Sequence, residues 1–592
     1  MGVKRAAFLL VTVLTVLGQG AIRALGAPIP TASLNVPATG FIGEPFSFSV
    51  SFDNTSPTDP GYGPYVDLEL PTIGIDGAGL AVDDGITFVN ATYLGVPVNS
   101  TVLTCPVAAH PYTGAAIACT AGNQLVVLEL PFGSFTNDQP PAVSTVNANL
   151  SNLADLGAPL PIRATGVFRY GADPLDNPGS DPPITGLTHT VNFTPTLLTL
   201  TKEYIGPEDE TATGPNFPRR YTLTVDIANG QTVTNLDVTD FLPNNLAFLS
   251  VISTSPGGAS ILQLPTIGAP ANPPNNDLVV RFPSVTGSTG SSDATVTFEY
   301  YVPEFDANGV RIINANTGDD VISQNNGRAE ADWTPIDTRD PASHPVVDQA
   351  GPEHVLTDKS VAIQKGVSII NDVAPPGPSP GDLLEYTLNF QISDYFSFRN
   401  LRIQNDVLSD GQRVDGSFTP TLSVTENGAT SSGTFAPSNF SVTVDSPGTG
   451  TSILFFDISG ERILRGLDGR LLGGLVPDGG SANDGATTGV ITYRAIILDM
   501  YTDDYPTGDP SLNNGDHIDN AVIIDGDVLN NSTLAPTGFN EADDSGAGLT
   551  IVGGEVFKYV YARNGVIGPV TQFAPGDTIT YRIVFNIPTG DI

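Results

Sequence analysis

Lysine is nearly missing from this chain of 592 residues, with five in all: Lys4, Lys202, Lys359, Lys365 and Lys558. Lys and Arg together number 24 against 63 Asp and Glu, a net charge of -39. A chain without a basic face has no footprint for phosphates, so nucleic-acid binding is excluded. There are two cysteines, one tryptophan and five histidines. The histidines show no H-E-x-x-H spacing, and no second cysteine pair completes a zinc site. Neither a G-x-S-x-G elbow nor a phosphate-cradling glycine loop occurs. Carboxylates are so abundant that pairs of them carry no weight as evidence for glycoside hydrolysis. Trp333 reads as a core or loop anchor rather than a sugar platform. After the first 26 residues no apolar run is long enough to span a bilayer, and no segment sustains helical 3.6-residue spacing.

What is present is strand and turn. Hydrophobic residues make up 40% of the chain, with 63 Gly and 50 Pro spread along it. That composition suits many short strands, and the length implies several domains. Lys4 and Arg5 precede the apolar run "AAFLLVTVL", and "ALGA" follows at Ala24–Ala27. This predicts a secretory signal peptide over residues 1–26, cut after Gly26. In an exported protein Cys105 and Cys119 are expected to form a disulfide, worth roughly 3 kcal/mol in the chain-entropy account.

A long repeat organises the rest. "RRYTLTVDIANGQTVTNLDVTDFLP" begins at Arg219, "LEYTLNFQISDYFSFRNLRIQNDVLS" at Leu384, and "PGDTITYRIVFNIP" at Pro575; a diverged copy, "GEPFSFSVSF", begins at Gly43. The anchors Phe46, Tyr221, Tyr386 and Tyr581 each start an alternating run. Alternation with period two, between Gly/Pro/Asn/Asp turns, predicts antiparallel sandwiches with one face of each sheet in a core. The second and third copies end in "NNGRAEADW" and "NNGDHIDNAVIIDG", and the acidic, Pro-containing segments after each are expected to be loops. The predicted units are 27–192, carrying the disulfide, 193–355, 356–548 and the opening strands of a further, truncated unit at 549–592.

Ahead of three anchor tyrosines, at similar distances, stands a lysine: Lys202, Lys365 and Lys558. Lys202 in "LLTLTKEY" shares the parity of Leu198 and Leu200, so it points inward. Lys365 is in phase with Val361 and Ile363, and Lys558 with Val556. Lys359 is expected at the surface. Burial disfavours the ammonium, and a neutral amine is a nucleophile.

The order lysine strand, "PGD…Y" strand, "D-x-L-P" and closing Asn strand resembles the prokaryotic surface-repeat module catalogued as domain of unknown function eleven. It is also similar to fimbrial immunoglobulin-like domains that form internal isopeptide bonds. The likeness covers most of residues 190–592. It implies tandem immunoglobulin-like antiparallel β-sandwiches, all-β, with long acidic Pro/Gly-rich loops, in an exported surface protein. It also implies a reacting set in each unit: lysine, a helper aspartate and an asparagine. In the second unit these are Lys202, Asp240 and Asn325, with Asn326 competing for the third place; Asn325 shares the face of Ala329 and Ala331. In the third they are Lys365, Asp406 and Asn520. Asp406 is out of phase with Leu401 and Ile403, so either a β-bulge turns it inward or Asn405 takes the site. Lys558 is the unpaired repeat lysine. The first unit has Asp67 in "VDLELP" but no lysine.

The expected function is therefore that of a non-enzymatic surface or matrix protein, secreted or at the cell surface. It would be a stalk of stapled repeats making cell-wall, matrix or surface-protein contacts, with no membrane span beyond the leader. The alternative is an accessory region of an extracellular hydrolase or calcium-dependent adhesin. No cofactor is required. Calcium is the one with some support, from the oxygen-rich segments Gly171–Asp181 and Asp503–Asp516, though solvated acidic loops are the commoner case and the metal ligands stay unassigned.

Overall fold

The computed structural model describes residues 27–75, 84–172, 182–206, 210–272, 276–290, 292–337, 339, 344–373, 376–477, 483–503, 510–552, 555–567 and 577–586. The leader, most of Gly171–Asp181 and the middle of Asp503–Asp516 lie outside them. Strand is the dominant element among the described residues, with one helix, Ile458–Leu464, whose start is capped by the Asp457 carboxylate accepting from the Gly460 N–H.

The second unit is a sandwich whose sheets follow from the alternating runs. Its lysine strand, Leu198–Ile205, forms the edge of a four-stranded sheet. The tyrosine strand Arg219–Ile227, then Ala294–Tyr301 and Ala247–Ser255, continue that sheet. In the facing sheet the aspartate strand, Thr232–Phe241, lies beside the asparagine strand, Val321–Trp333, and the closing strand, His344–Lys359, lies beyond. The third unit repeats the order. Its lysine strand Val361–Asn371 pairs the tyrosine strand Leu383–Ile392 in one sheet. Its aspartate strand Ser397–Leu408, asparagine strand His517–Leu529 and closing strand Pro536–Thr550 are consecutive in the other. The first unit keeps the arrangement, with Pro64–Leu70 between Leu160–Phe168 and Gln124–Glu129. The last described strands, Glu555–Arg563 and Ile579–Asn586, form a pair that repeats the lysine–tyrosine pairing.

Two segments expected as loops are strands, namely the two closing strands. Their inward positions are partly polar, which hid the pattern. In Pro536–Thr550 the buried residues are Asp543 and Ser545. Asp543 accepts from the Ile363 N–H at 2.6 Å and Ser545 Oγ accepts from the Lys365 N–H at 2.9 Å. In the second unit Asp348 accepts from the Leu200 N–H at 2.8 Å. Side-chain oxygens thus close the corner where the lysine strand of one sheet meets the closing strand of the other, and satisfy edge N–H groups that would otherwise lack partners. The strands Ile184–Thr196, His344–Lys359 and Pro536–Thr550 each run across an expected unit boundary.

Lys359 is not at the surface. It is buried between the second and third units, its Nζ 2.7 Å from Asp320 and 2.6 Å from Asp543. Strand parity could not reveal this, because the residue ends one strand and is covered by the next unit. Thr213 and Asn216 bind Ser393 and Asp394 across the same junction. Glu541 faces it too: burial, then Asp320 and Asp319, raise its pKa from 4.5 to about 7, against a smaller opposite pull from Lys359. Between those values the folded state holds a proton the unfolded state has lost, so this residue's contribution to stability falls as pH rises. Glu541→Gln is therefore expected to gain stability relative to the parent between about pH 5 and about pH 8 in denaturant unfolding. A stability difference that stays constant across that range would contradict the assignment.

Candidate functional site: lysines that cross the core

The register of each lysine strand against its tyrosine strand is the same in three units. Lys202 lies opposite Leu223, Lys365 opposite Leu388 and Lys558 opposite Ile583, each two residues past the anchor tyrosine on the partner strand. Lysine and ring therefore share a face on a cross-strand diagonal. The Nζ atoms lie 4.2 Å from the Tyr221 ring centroid, 5.1 Å from Tyr386 and 4.5 Å from Tyr581. In the second and third units a further tyrosine from the next strand stacks beneath the anchor: Tyr300 on Tyr221 at 4.9 Å and Tyr493 on Tyr386 at 5.1 Å. Sequence reasoning passed over Tyr300 and Tyr493. Their alternating runs, "TVTFEYY" and "VITYRAI", carry the same signal as the anchors.

From this floor the lysine reaches across to the opposite sheet. The Lys202 side chain is 2% exposed, and its Nζ donates to Asp240 Oδ2 at 2.5 Å. Asp240, fully buried, also accepts from Asn325 Nδ2 at 3.1 Å. Asp240 lies opposite Gly327, which places Asn325 on the same inward face. Asn326 is half-buried and turns its oxygen to the Gly327 N–H. The second-unit set expected from sequence is thus brought together.

Burial dominates the electrostatics of the pair. It pushes the Lys202 ammonium down and the Asp240 carboxyl up, with their mutual attraction opposing both shifts. Each group's desolvation favours its neutral form, so transfer of the proton from ammonium to carboxylate leaves an amine facing a carboxylic acid. Asn325 Oδ1 is buried without a hydrogen-bond partner. A protonated Asp240 carries the donor that this oxygen lacks.

The third unit is built alike with one difference. Lys365 and Asp406 are both buried and hydrogen-bonded, and burial again lowers the lysine and raises the acid. A β-bulge after Ile403 turns Asp406 inward while Asn405 faces solvent. Asp406 lies opposite Val522, again two residues past the asparagine. Asn520 is buried, but its amide nitrogen donates to the Tyr386 hydroxyl at 2.5 Å. Its oxygen accepts from the Ser409 N–H at 2.9 Å and Gln412 Nε2 at 2.7 Å. Its carbonyl is polarised by those two donors, and no hydrogen bond joins it to Asp406 among the described residues.

The expected inward position of Lys558 is not seen: it is exposed. No facing sheet covers it among the described residues. In the first unit Cys105 and Cys119 are joined. Asp67, on the strand equivalent to that of Asp240, is half-buried and bonds His110 Nε2 at 3.0 Å. No group of three metal-ligating side chains occurs among the described residues, and no helix among them is long and apolar enough to cross a membrane.

No known family model matches the chain, and no curated protein does. Solved structures do align. A backbone pilin of Streptococcus pyogenes is 13% identical over 66% of this chain and 75% of its own, with a TM-score of 0.20. A major pilin fragment of Streptococcus agalactiae is 11% identical over 60% and 91%, at 0.21. An enzyme that catalyses macrocyclization in alchivemycin A biosynthesis is 12% identical over 28% and 87%, at 0.19. Scores this low carry no argument; the all-β sandwich architecture rests on the sheets described above.

Removing Asp240 alone leaves a buried lysine without its counter-charge, a loss of about 3–5 kcal/mol. Asp240→Ala is expected to show at least that loss in denaturant unfolding, while Lys202→Met with Asp240→Leu, which removes the unpaired charge but also lacks any bond to Asn325, recovers only the part owed to the charge. A single variant as stable as the parent would rule out a buried pair.

Proposed function

We propose that this is an exported, non-enzymatic surface protein, a stalk of β-sandwiches whose second and third units are stapled internally by lysine–asparagine amide bonds. The observation that carries the reading is the Lys202–Asp240–Asn325 set spanning the two sheets of one core. In the reaction, neutral Lys202 Nζ attacks Asn325 Cγ while protonated Asp240 donates to the amide oxygen. The tetrahedral adduct collapses, the C–N bond to the side-chain amide nitrogen breaks, and ammonia leaves with the proton that the new amide nitrogen sheds. Asp240 is a proton carrier, unchanged at the end. In the third unit Lys365 Nζ attacks Asn520 Cγ likewise, but Asp406 takes the amine's proton and passes it to the departing nitrogen rather than donating to the oxygen. The Ser409 N–H and Gln412 Nε2 hold the oxygen where negative charge develops.

A stalk has reason to make such bonds. Each links the opening strand of a unit to a strand near its end. The loops closed are of 123 residues (325 − 202) and 155 residues (520 − 365), each worth roughly 5 kcal/mol of unfolded-state entropy. Contacts with cell wall, matrix or other surface proteins belong to this reading.

Intact mass tests it. With the leader removed and the two hydrogens of the Cys105–Cys119 disulfide allowed for, the chain should weigh two ammonias less than its sequence. Lys202→Ala and, separately, Asp240→Ala should each restore one, and Lys365→Ala the other. A mass equal to that of the sequence would end the proposal.

A further inference from the structure

A pocket of the first unit has no part in the staples. It is a cavity of about 230 Å³ beside the disulfide loop, with Tyr112, Phe132, Arg169, Tyr170 and Glu129 in its lining. Three of these are half-exposed aromatic rings, and they are held in place. Tyr112 is carried by the loop that Cys105–Cys119 closes. Within that loop buried His110 accepts from the N–H groups of Tyr112 and Thr113 at 3.3 and 3.4 Å, and so donates from Nε2 to Asp67. Tyr112 packs edge-on against buried Tyr65 at 5.2 Å. Tyr170 lies on Gly63, where a Cβ would come within 2.8 Å of its Cδ2.

Arg169 is the informative residue. Its guanidinium carbon sits 4.6 Å from the Tyr112 centroid and 5.0 Å from that of Tyr170. Ring contact occupies the guanidinium face and leaves the in-plane N–H edge. That edge has no hydrogen-bond or carboxylate partner among the described residues. Every other buried or half-buried arginine there pairs with an acid. In a chain with 63 acids and 19 arginines, 24 basic residues less five lysines, an unpaired and pre-stacked guanidinium marks a site kept for an external carboxylate. Glu129 holds Asn99 at 2.6 Å and the Tyr112 hydroxyl at 3.0 Å through Oε2, leaving Oε1 to accept from a hydroxyl.

The geometry points to this pocket as a binding site for a carboxylate-bearing pyranose, a uronic-acid residue of an acidic glycan. The carboxylate meets the Arg169 edge, the C–H faces of the sugar lie on the rings, and hydroxyls reach Glu129. The site is independent of the staples and stands or falls without them.

The test is calorimetric titration of the full chain with methyl glucuronide, methyl glucoside, acetate and inorganic phosphate. The glucuronide should bind, and the neutral glucoside should bind about tenfold more weakly or not at all, the loss of a bidentate charge-assisted pair. Arg169→Gln and Tyr170→Ala should weaken the glucuronide by a similar factor while Tyr170→Phe keeps it, all with unchanged thermal midpoints. No glucuronide binding, or equal binding by Arg169→Gln, overturns the proposal. Acetate or phosphate matching the glucuronide reduces the site to an anion contact and overturns the sugar assignment.

Discussion

A lysine in the middle of a β-sandwich constrains everything around it. The ammonium cannot stay unpaired there, so the opposite sheet must present an acid, and the acid must be as deeply buried as the lysine. The floor must suit a cation as well, and in the second and third units it is a pair of stacked tyrosines whose upper ring faces the amine. Each requirement fixes a register: lysine two residues past the tyrosine partner, aspartate opposite the residue two past the asparagine. These registers recur because the chemistry at the centre does.

The same constraint explains the unit edges. The lysine strand lies at the edge of its sheet, and its N–H groups would face a gap between sheets. Asp348 in one unit, and Asp543 with Ser545 in the other, fill it. Asp543 is shared, since Lys359 at the junction reaches it from outside the core. One carboxylate therefore ties the corner of the third unit to the end of the second.

Much of this was legible in the sequence. Parity at Leu198, Leu200 and Lys202 placed the first lysine inward, and the alternating runs after Tyr221 and Tyr386 gave the sandwiches. The face of Ala329 and Ala331 selected Asn325 over Asn326. What stayed hidden had physical reasons. Asp406 needed a bulge, which breaks the parity used to read a strand. The closing strands carry polar inward residues that mimic a loop. Lys359 is buried by a neighbouring unit, and Lys558 is exposed where parity alone pointed it inward, since no facing sheet covers it among the described residues. The hydrogen bonds of Asn520 depend on Gln412 and Tyr386, brought together only by the fold.

The central claim is that Lys202 and Asn325 are covalently joined across the core. Pulling a single molecule from its ends tests it under the load a stalk meets. Joined, the residues between Lys202 and Asn325 are shielded from the force, and unfolding the second unit releases only the short segments outside that loop. Lys202→Ala restores the missing length. Release of the whole unit's length by the unmodified chain would contradict the account.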